Sequence, residues 1–191
     1  MRYKKGDSGY LNHQLIIEII KTIVMFSITI GILMLGIFQT GDRMNLLTVV
    51  AVVGSLPACK ALVGVIVRFP YRSINKEIAE EITSKTEHIT IAFDMIITSE
   101  QKIMPVDCIA ISGNTVCGYA SNKKTDLTHA SKHIKHILIQ NGFSDVSVKI
   151  FDGYTAFLTR AEGMNSIAAI DKADFKRHEE GIRSVILNIS M

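Results

Sequence analysis

Cysteine is scarce in this chain of 191 residues: Cys59, Cys108 and Cys117 are the only three, and no two stand at metal-binding spacing. All three are expected to be free thiols. The phosphate loop with its Walker lysine, the Gly-x-Ser-x-Gly elbow and the zinc-finger pattern are absent too, and Gly113 and Gly118 flank a predicted strand instead of cradling an anion. Repeats and low-complexity segments are missing. With no complete catalytic motif and no cofactor signature, the expectation is a non-enzymatic binding or scaffold protein. Basic excess is lacking as well. From Arg72 to Met191, 14 Lys and Arg stand against 15 Asp and Glu, a net of −1 within a chain of net +3. A nucleic-acid groove needs cations to displace counterions, so nucleic acid is not an expected partner.

The chain does have two long apolar stretches near its start, Leu15–Phe38 and Met44–Val67, each of 24 residues and five residues apart. At ~1.5 Å rise per residue either makes about 36 Å of helix, more than the roughly 30 Å of a hydrocarbon core. The uncharged run Thr22–Thr40 exceeds the apolar region of a cleavable signal and no Ala-x-Ala site follows it, so a retained anchor is predicted. Arg2, Lys4 and Lys5 precede the first stretch, and Arg68, Arg72 and Lys76 follow the second. The short loop Gln39–Arg43 sets one Arg beside Asp42. By the positive-inside tendency both termini face the cytoplasm and the protein sits in the plasma (inner) membrane. The lipid bilayer is then one partner, and a membrane protein or a second copy of the chain is another.

Glu18, Lys21 and Lys60 interrupt the apolar runs, where a charge costs ~2.5–3.5 kcal/mol on insertion scales. Either Glu18 pairs with Lys21 at i, i+3 while the lysines snorkel to the inner headgroups, or Glu18 bridges to Lys60 on the other helix. Pro57 interrupts the second helix. Ser27 and Gly31 on one helix, with Gly54 and Ala58 on the other, have the small-xxx-small spacing that permits close backbone approach.

Beyond Phe69-Pro70-Tyr71 the pattern becomes that of an α+β domain. Ile74, Ile78 and Ile82 form a helical stripe opposite Glu77, Glu80 and Glu81. Ile89, Ile91, Phe93, Met95 and Ile97 alternate through a strand, His88–Thr98, with all five on one face. Further strands are predicted over Ile103–Ser112 and Thr115–Ala120, joined by the turns Ser99–Lys102 and Gly113-Asn114, and a helix over Leu127–Asn141 ending at Gly142. Asp152-Gly153, suited to a type I′ turn, predicts a hairpin of Val146–Phe151 with Tyr154–Thr159. Phe175, Ile182, Val185, Ile186 and Ile189 mark a last helix. The predicted order is α-β-β-β-α-β-β-α around a mainly antiparallel sheet. The expected divisions are residues 1–14 (cytoplasmic tail), 15–68 (transmembrane hairpin), 69–87 (connecting amphipathic helix) and 88–191 (cytoplasmic α+β domain).

If the four-residue turn sets Thr98 opposite Ile103, Asp94 and Asp107 lie across from each other, a like-charge pair that a divalent metal, a shared proton or a nearby Lys can relieve. These two acids, and the order helix, three strands, helix, strand over Ser73–Phe151, resemble the restriction-endonuclease-like superfamily. Members carry an Asp on one strand and an acidic-x-Lys triplet on the next. Asp94 matches the first acid and Asp107-Cys108-Ile109 occupies the triplet, with Ile109 in the place of the lysine. Glu77, Glu80 or Glu81 matches the acid that some members carry on the first helix. The resemblance implies a metal-dependent phosphodiester hydrolase or, without the lysine, an inactive descendant; Lys149 is a candidate substitute.

His129, His133 and His136 recur at i, i+4, i+7 on one helix face with Gln140. A hydrated polar face explains them; zinc or nickel binding, or contact with anionic headgroups aided by Lys123, Lys124, Lys132 and Lys135, are the alternatives.

Overall fold

In the computed structural model the described residues are 3–41, 45–99, 102–170 and 175–191. Arg2, Asp42, Arg43, Met44, Glu100 and Gln101, which the flanking-charge and turn readings use, lie outside them. The chain forms two units, one of Met1–Tyr10 with Ser73–Met191 and one of Leu11–Arg72.

The second unit consists of helices α1 (Tyr10–Thr40) and α2 (Leu46–Arg68). Both are long and apolar enough to cross a membrane. α1 begins at Tyr10, five residues before the apolar run, because Asn12, His13 and Gln14 continue the helix ahead of it. The seam between the helices is made of small and polar groups: Thr22 and Gly36 are buried on α1, and Ala51 and Ala58 on α2. The Thr29 hydroxyl, which donates to the Met25 carbonyl one turn back at 2.9 Å, also lies 3.4 Å from the Gly54 carbonyl of α2. Large side chains point outward, among them Leu35 at 60% and Leu56 at 68% exposure. This is the distribution of side chains expected where lipid is the solvent. Asn45 caps α2, its side-chain oxygen accepting from the Thr48 N–H at 2.9 Å.

The first unit runs α3 (Lys76–Lys85), β1 (Thr90–Thr98), β2 (Ile103–Ser112), β3 (Thr115–Tyr119), α4 (Leu127–Gln140), β4 (Ser147–Phe151), α5 (Tyr154–Ile170) and α6 (Lys176–Ile189). It is an α+β unit whose mixed sheet has the order β1-β2-β3-β4. The first two pairings are antiparallel and β3–β4 is parallel, with α4 as its crossover. Asp126 caps α4 by accepting from the His129 N–H at 2.9 Å, and Gly142, at φ +89°, takes the left-handed conformation that ends it.

Helices cover both faces of the sheet. Ala130, Ile134 and Leu138 of α4 join Ile182 and Ile186 of α6 over Ile109, Ile111 and Val116. On the other side Ala79 and Ile82 of α3 join Phe157, Leu158, Ala161 and Met164 of α5 over Cys108, Ala110 and Cys117. The outer edge of β1 is closed by both chain ends. The Phe93 N–H donates to the Gly6 carbonyl and the Met191 N–H to the Ile96 carbonyl, each at 2.9 Å, and the Lys5 ammonium donates to the Ser190 carbonyl.

Two expectations are corrected. Tyr154–Thr159 is no strand: it opens the 17-residue helix α5, so the order is α-β-β-β-α-β-α-α and the sheet is mixed. The apolar residues that matter recur at helical spacing, Phe157, Ala161 and Met164, and they cover a sheet face that would otherwise lie bare. Asp152-Gly153 leads into this helix, the Gly153 carbonyl accepting from the Phe157 N–H at 3.1 Å. Second, the alternating residues of β1 do not share one face. Ile89, Ile91 and Phe93 pack beneath α3 and α5, whereas Met95 and Ile97 pack beneath α4 and α6. The change of side falls at Asp94.

Candidate functional site

Asp94 is 2% exposed and has φ +56°, the left-handed conformation that Asp tolerates better than most residues. The register around it is as expected: Thr98 pairs with Ile103, Met95 with Val106 and Phe93 with Cys108, which leaves Asp94 across from Asp107. The two carboxylates are nevertheless held by different parts of the chain. Asp94 accepts from the Gly9 N–H at 2.7 Å through Oδ2 and from the Ile74 N–H at 2.9 Å through Oδ1. Gly9, at φ +88°, is where the N-terminal segment turns into α1, a conformation that costs glycine little. Ile74 lies where the chain returns from α2. One carboxylate thus clasps the two strands of chain between which the helical pair is inserted. Asp107 instead accepts through Oδ2 from the Ser121 N–H at 2.5 Å, fastening the segment after β3.

Between these acids Cys108 is fully buried, and desolvation first, then electrostatic coupling to the Cys117 thiol and to the Asp107 and Asp94 carboxylates, push its thiol well above the usual range. Burial likewise pushes Cys117 up to about 12 despite the nearby Arg160. Both are protonated at neutral pH and lack nucleophilic character. A second buried acid, Glu179 on α6, accepts from the Thr90 hydroxyl and the Gly113 N–H, both at 2.8 Å, pinning β1 and the β2–β3 turn.

The acids of α3 face outward. Glu77 is exposed, and Glu80 pairs with Lys76 at 3.6 Å. Glu81 accepts from the Tyr154 hydroxyl at 2.6 Å and pairs at 3.0 Å with Lys85, which also meets Glu162 at 3.0 Å. Desolvation and this hydrogen bond raise the Tyr154 phenol. The cluster ties α3 to α5.

His129 and His133 stack at 6.4 Å between centroids, while His129 Nδ1 lies 3.4 Å from the Met104 sulfur and His136 Nε2 lies 3.1 Å from Gln140 Nε2. Among the described residues no group of three or more His, Cys, Asp and Glu is placed to hold a metal ion.

In the helical pair Glu18 lies 3.8 Å from Lys21 and 3.9 Å from Arg68 of α2. Arg68, not Lys60, is therefore the cation opposite Glu18; Lys60 is exposed and makes no ion pair among the described residues. Gly54 and Ala58 lie at the seam, whereas Ser27 and Gly31 face outward and a Cβ on Gly31 would meet nothing within 4 Å.

Among the clefts that indent the α+β unit are two lined by charged side chains. One, of about 740 Å³, has Asp7, Glu80 and Glu87 at its rim and Arg183, whose Nε already donates to the Ile91 carbonyl at 3.1 Å. The other, of about 620 Å³, opens between the β3–β4 ladder and α5 and is lined by Lys149 and Arg160 and, among the described residues, by no acidic one. Lys149 stands out in the sequence, but Arg160 does not, because reading Tyr154–Thr159 as a strand leaves Arg160 in a loop. Comparison of the chain with protein-family models, with curated proteins and with solved structures found no match.

Proposed function

We propose that the chain is a membrane-anchored binding protein: α1 and α2 cross the plasma (inner) membrane as a hairpin, both termini face the cytoplasm, and the α+β unit is presented there to a membrane protein or to a second copy of the chain. The observation that carries this reading is the reversed packing of the helical pair, small and polar groups in the seam and large apolar side chains outward. Lys4 and Lys5 before α1, Arg68 at the end of α2 and Arg72 after it agree with the orientation. Asp94 supports the anchoring role, since it fastens the unit to the chain on either side of the hairpin.

The test is crosslinking in native membranes followed by identification of adducts. A stoichiometric companion, or a dimer of the chain, is expected. Recovery of the monomer alone would argue against the reading.

A second reading, descent from a metal-dependent phosphodiester hydrolase, is favoured by one observation: α3-β1-β2-β3-α4-β4 follows the element order of the restriction-endonuclease-like superfamily. The engagement of Asp94 and Asp107 by main-chain donors favours the inactive form of that reading. Hydrolysis of a phosphodiester substrate in Mg²⁺ or Mn²⁺, abolished by Asp107→Asn, would instead establish an active enzyme.

A further inference from the structure

Strand periodicity sets one wall of the smaller cleft. In the parallel β3–β4 ladder Thr115 pairs with Ser147, Cys117 with Lys149 and Tyr119 with Phe151, and alternate residues share the face toward α5. Helical periodicity sets the other wall: Ala156, Thr159, Arg160 and Gly163 recur along one side of α5. At Gly163 the wall is missing, since a Cβ there would meet nothing within 4 Å. The opening of about 620 Å³ is the size of a small-molecule site.

Its charge is one-sided. The Lys149 ammonium is held over the Phe151 ring, 5.0 Å from the centroid, a contact that orients it. Among the described residues neither Lys149 nor Arg160 makes an ion pair and no Asp or Glu lines the cleft. Cys117, a protonated thiol, adds no negative charge. The hydroxyls of Thr115 and Thr159 make no hydrogen bond among the described residues, and that of Ser147 donates to the Asn114 carbonyl at 3.5 Å. Two unneutralised cations and three hydroxyls around an apolar floor of Phe151 and Ala156 match an anion with several acceptor oxygens and an organic body.

We propose that this cleft binds a small organic phosphate monoester, with Arg160 and Lys149 holding the phosphate and the body of the ligand lying against Phe151 in the space left by Gly163.

The experiment is calorimetric titration of the full chain in phosphatidylcholine nanodiscs with AMP, glycerol 3-phosphate and inorganic phosphate. Saturable binding of a monoester is expected, weakened at least tenfold by Lys149→Ala and by Arg160→Ala, and unchanged by Lys135→Ala on α4. Gly163→Leu fills the cleft, so it should abolish binding while leaving the melting temperature equal or higher; this variant keeps the test valid if Arg160→Ala folds poorly. Nanodiscs containing phosphatidic acid separate the two sources of the phosphate: competition with the soluble ligand indicates a lipid headgroup, and its absence a soluble metabolite. Failure of all three probes and of phosphatidic acid to bind, or binding that survives both Gly163→Leu and the loss of the two cations, would overturn the proposal.

Discussion

The helical pair and the α+β unit bury opposite kinds of side chain. In the unit Ile82, Ile109, Ile111, Phe157 and Ile182 are sealed from solvent, and charged groups lie outside unless clasped, as Asp94 and Glu179 are. In the pair Thr22, Ala51 and Ala58 are sealed, and Ile, Leu and Val face out. Hydrophobic burial drives the first; the second has the pattern that the proposed lipid surroundings would call for, a solvent as apolar as the side chains. On the proposed reading one chain is written for two solvents, and the boundaries lie next to Gly9 and Ile74, the residues whose N–H groups Asp94 holds.

The sharpest way to break this contrast is at that clasp. Asp94→Ala leaves two amides without their acceptor and places a side chain with no compensating hydrogen bond at φ +56°, at a cost of roughly 4 kcal/mol. Asp94→Gly accepts the backbone angle but not the amides, so it should lose most of the same stability in a urea titration; near-wild-type stability of the glycine variant would assign the role to conformation instead. Next in size come paired substitutions on α2. Leu56→Asp on the outward face should cost roughly 3 kcal/mol on insertion and reduce the fraction retained in membranes after alkaline extraction. Ala58→Leu, two residues away at the seam, should leave retention intact but part the helices at a cost of about 1–3 kcal/mol. If the two variants behaved alike, the distinction between faces would fail.

The smallest effect, taken per thiol and per pH unit, is the pH dependence of the α+β unit. Its two thiols have folded pKa values raised by burial, so the folded state keeps protons that the unfolded state releases above ~8.5. Their contribution is complete below that pH and is lost as pH rises toward about 12, the value for Cys117. The expected slope is about 1.4 kcal/mol per pH unit per thiol. Cys117→Ala should roughly halve the thiol share of that slope in alkaline denaturation.

Local signals made much of this fold readable. The four-residue turn gave Thr98 opposite Ile103, and Gly142 marked the end of α4, because turns and caps are short-range chemistry. α5 escaped notice because Tyr154, Ala156 and Leu158 alternate like a strand over six residues, and only the longer run to Ile170 reveals helical spacing. The site was less readable. Asp94 and Asp107 were visible as an opposed pair, but their partners Gly9, Ile74 and Ser121 are set by tertiary structure. The Glu18–Arg68 contact is not legible in the sequence, where Arg68 reads as a flanking charge; in the fold it closes the second helix.

The most direct measurement uses single-cysteine chains reconstituted in bilayers, with Cys59, Cys108 and Cys117 replaced by Ser or Ala and a water-soluble maleimide as probe. Thr155→Cys on α5 should react rapidly, whereas Val52→Cys, 62% exposed on α2, should react only after SDS is added. Equal rates at the two positions before detergent would mean that both regions face water, contradicting a chain divided between two solvents.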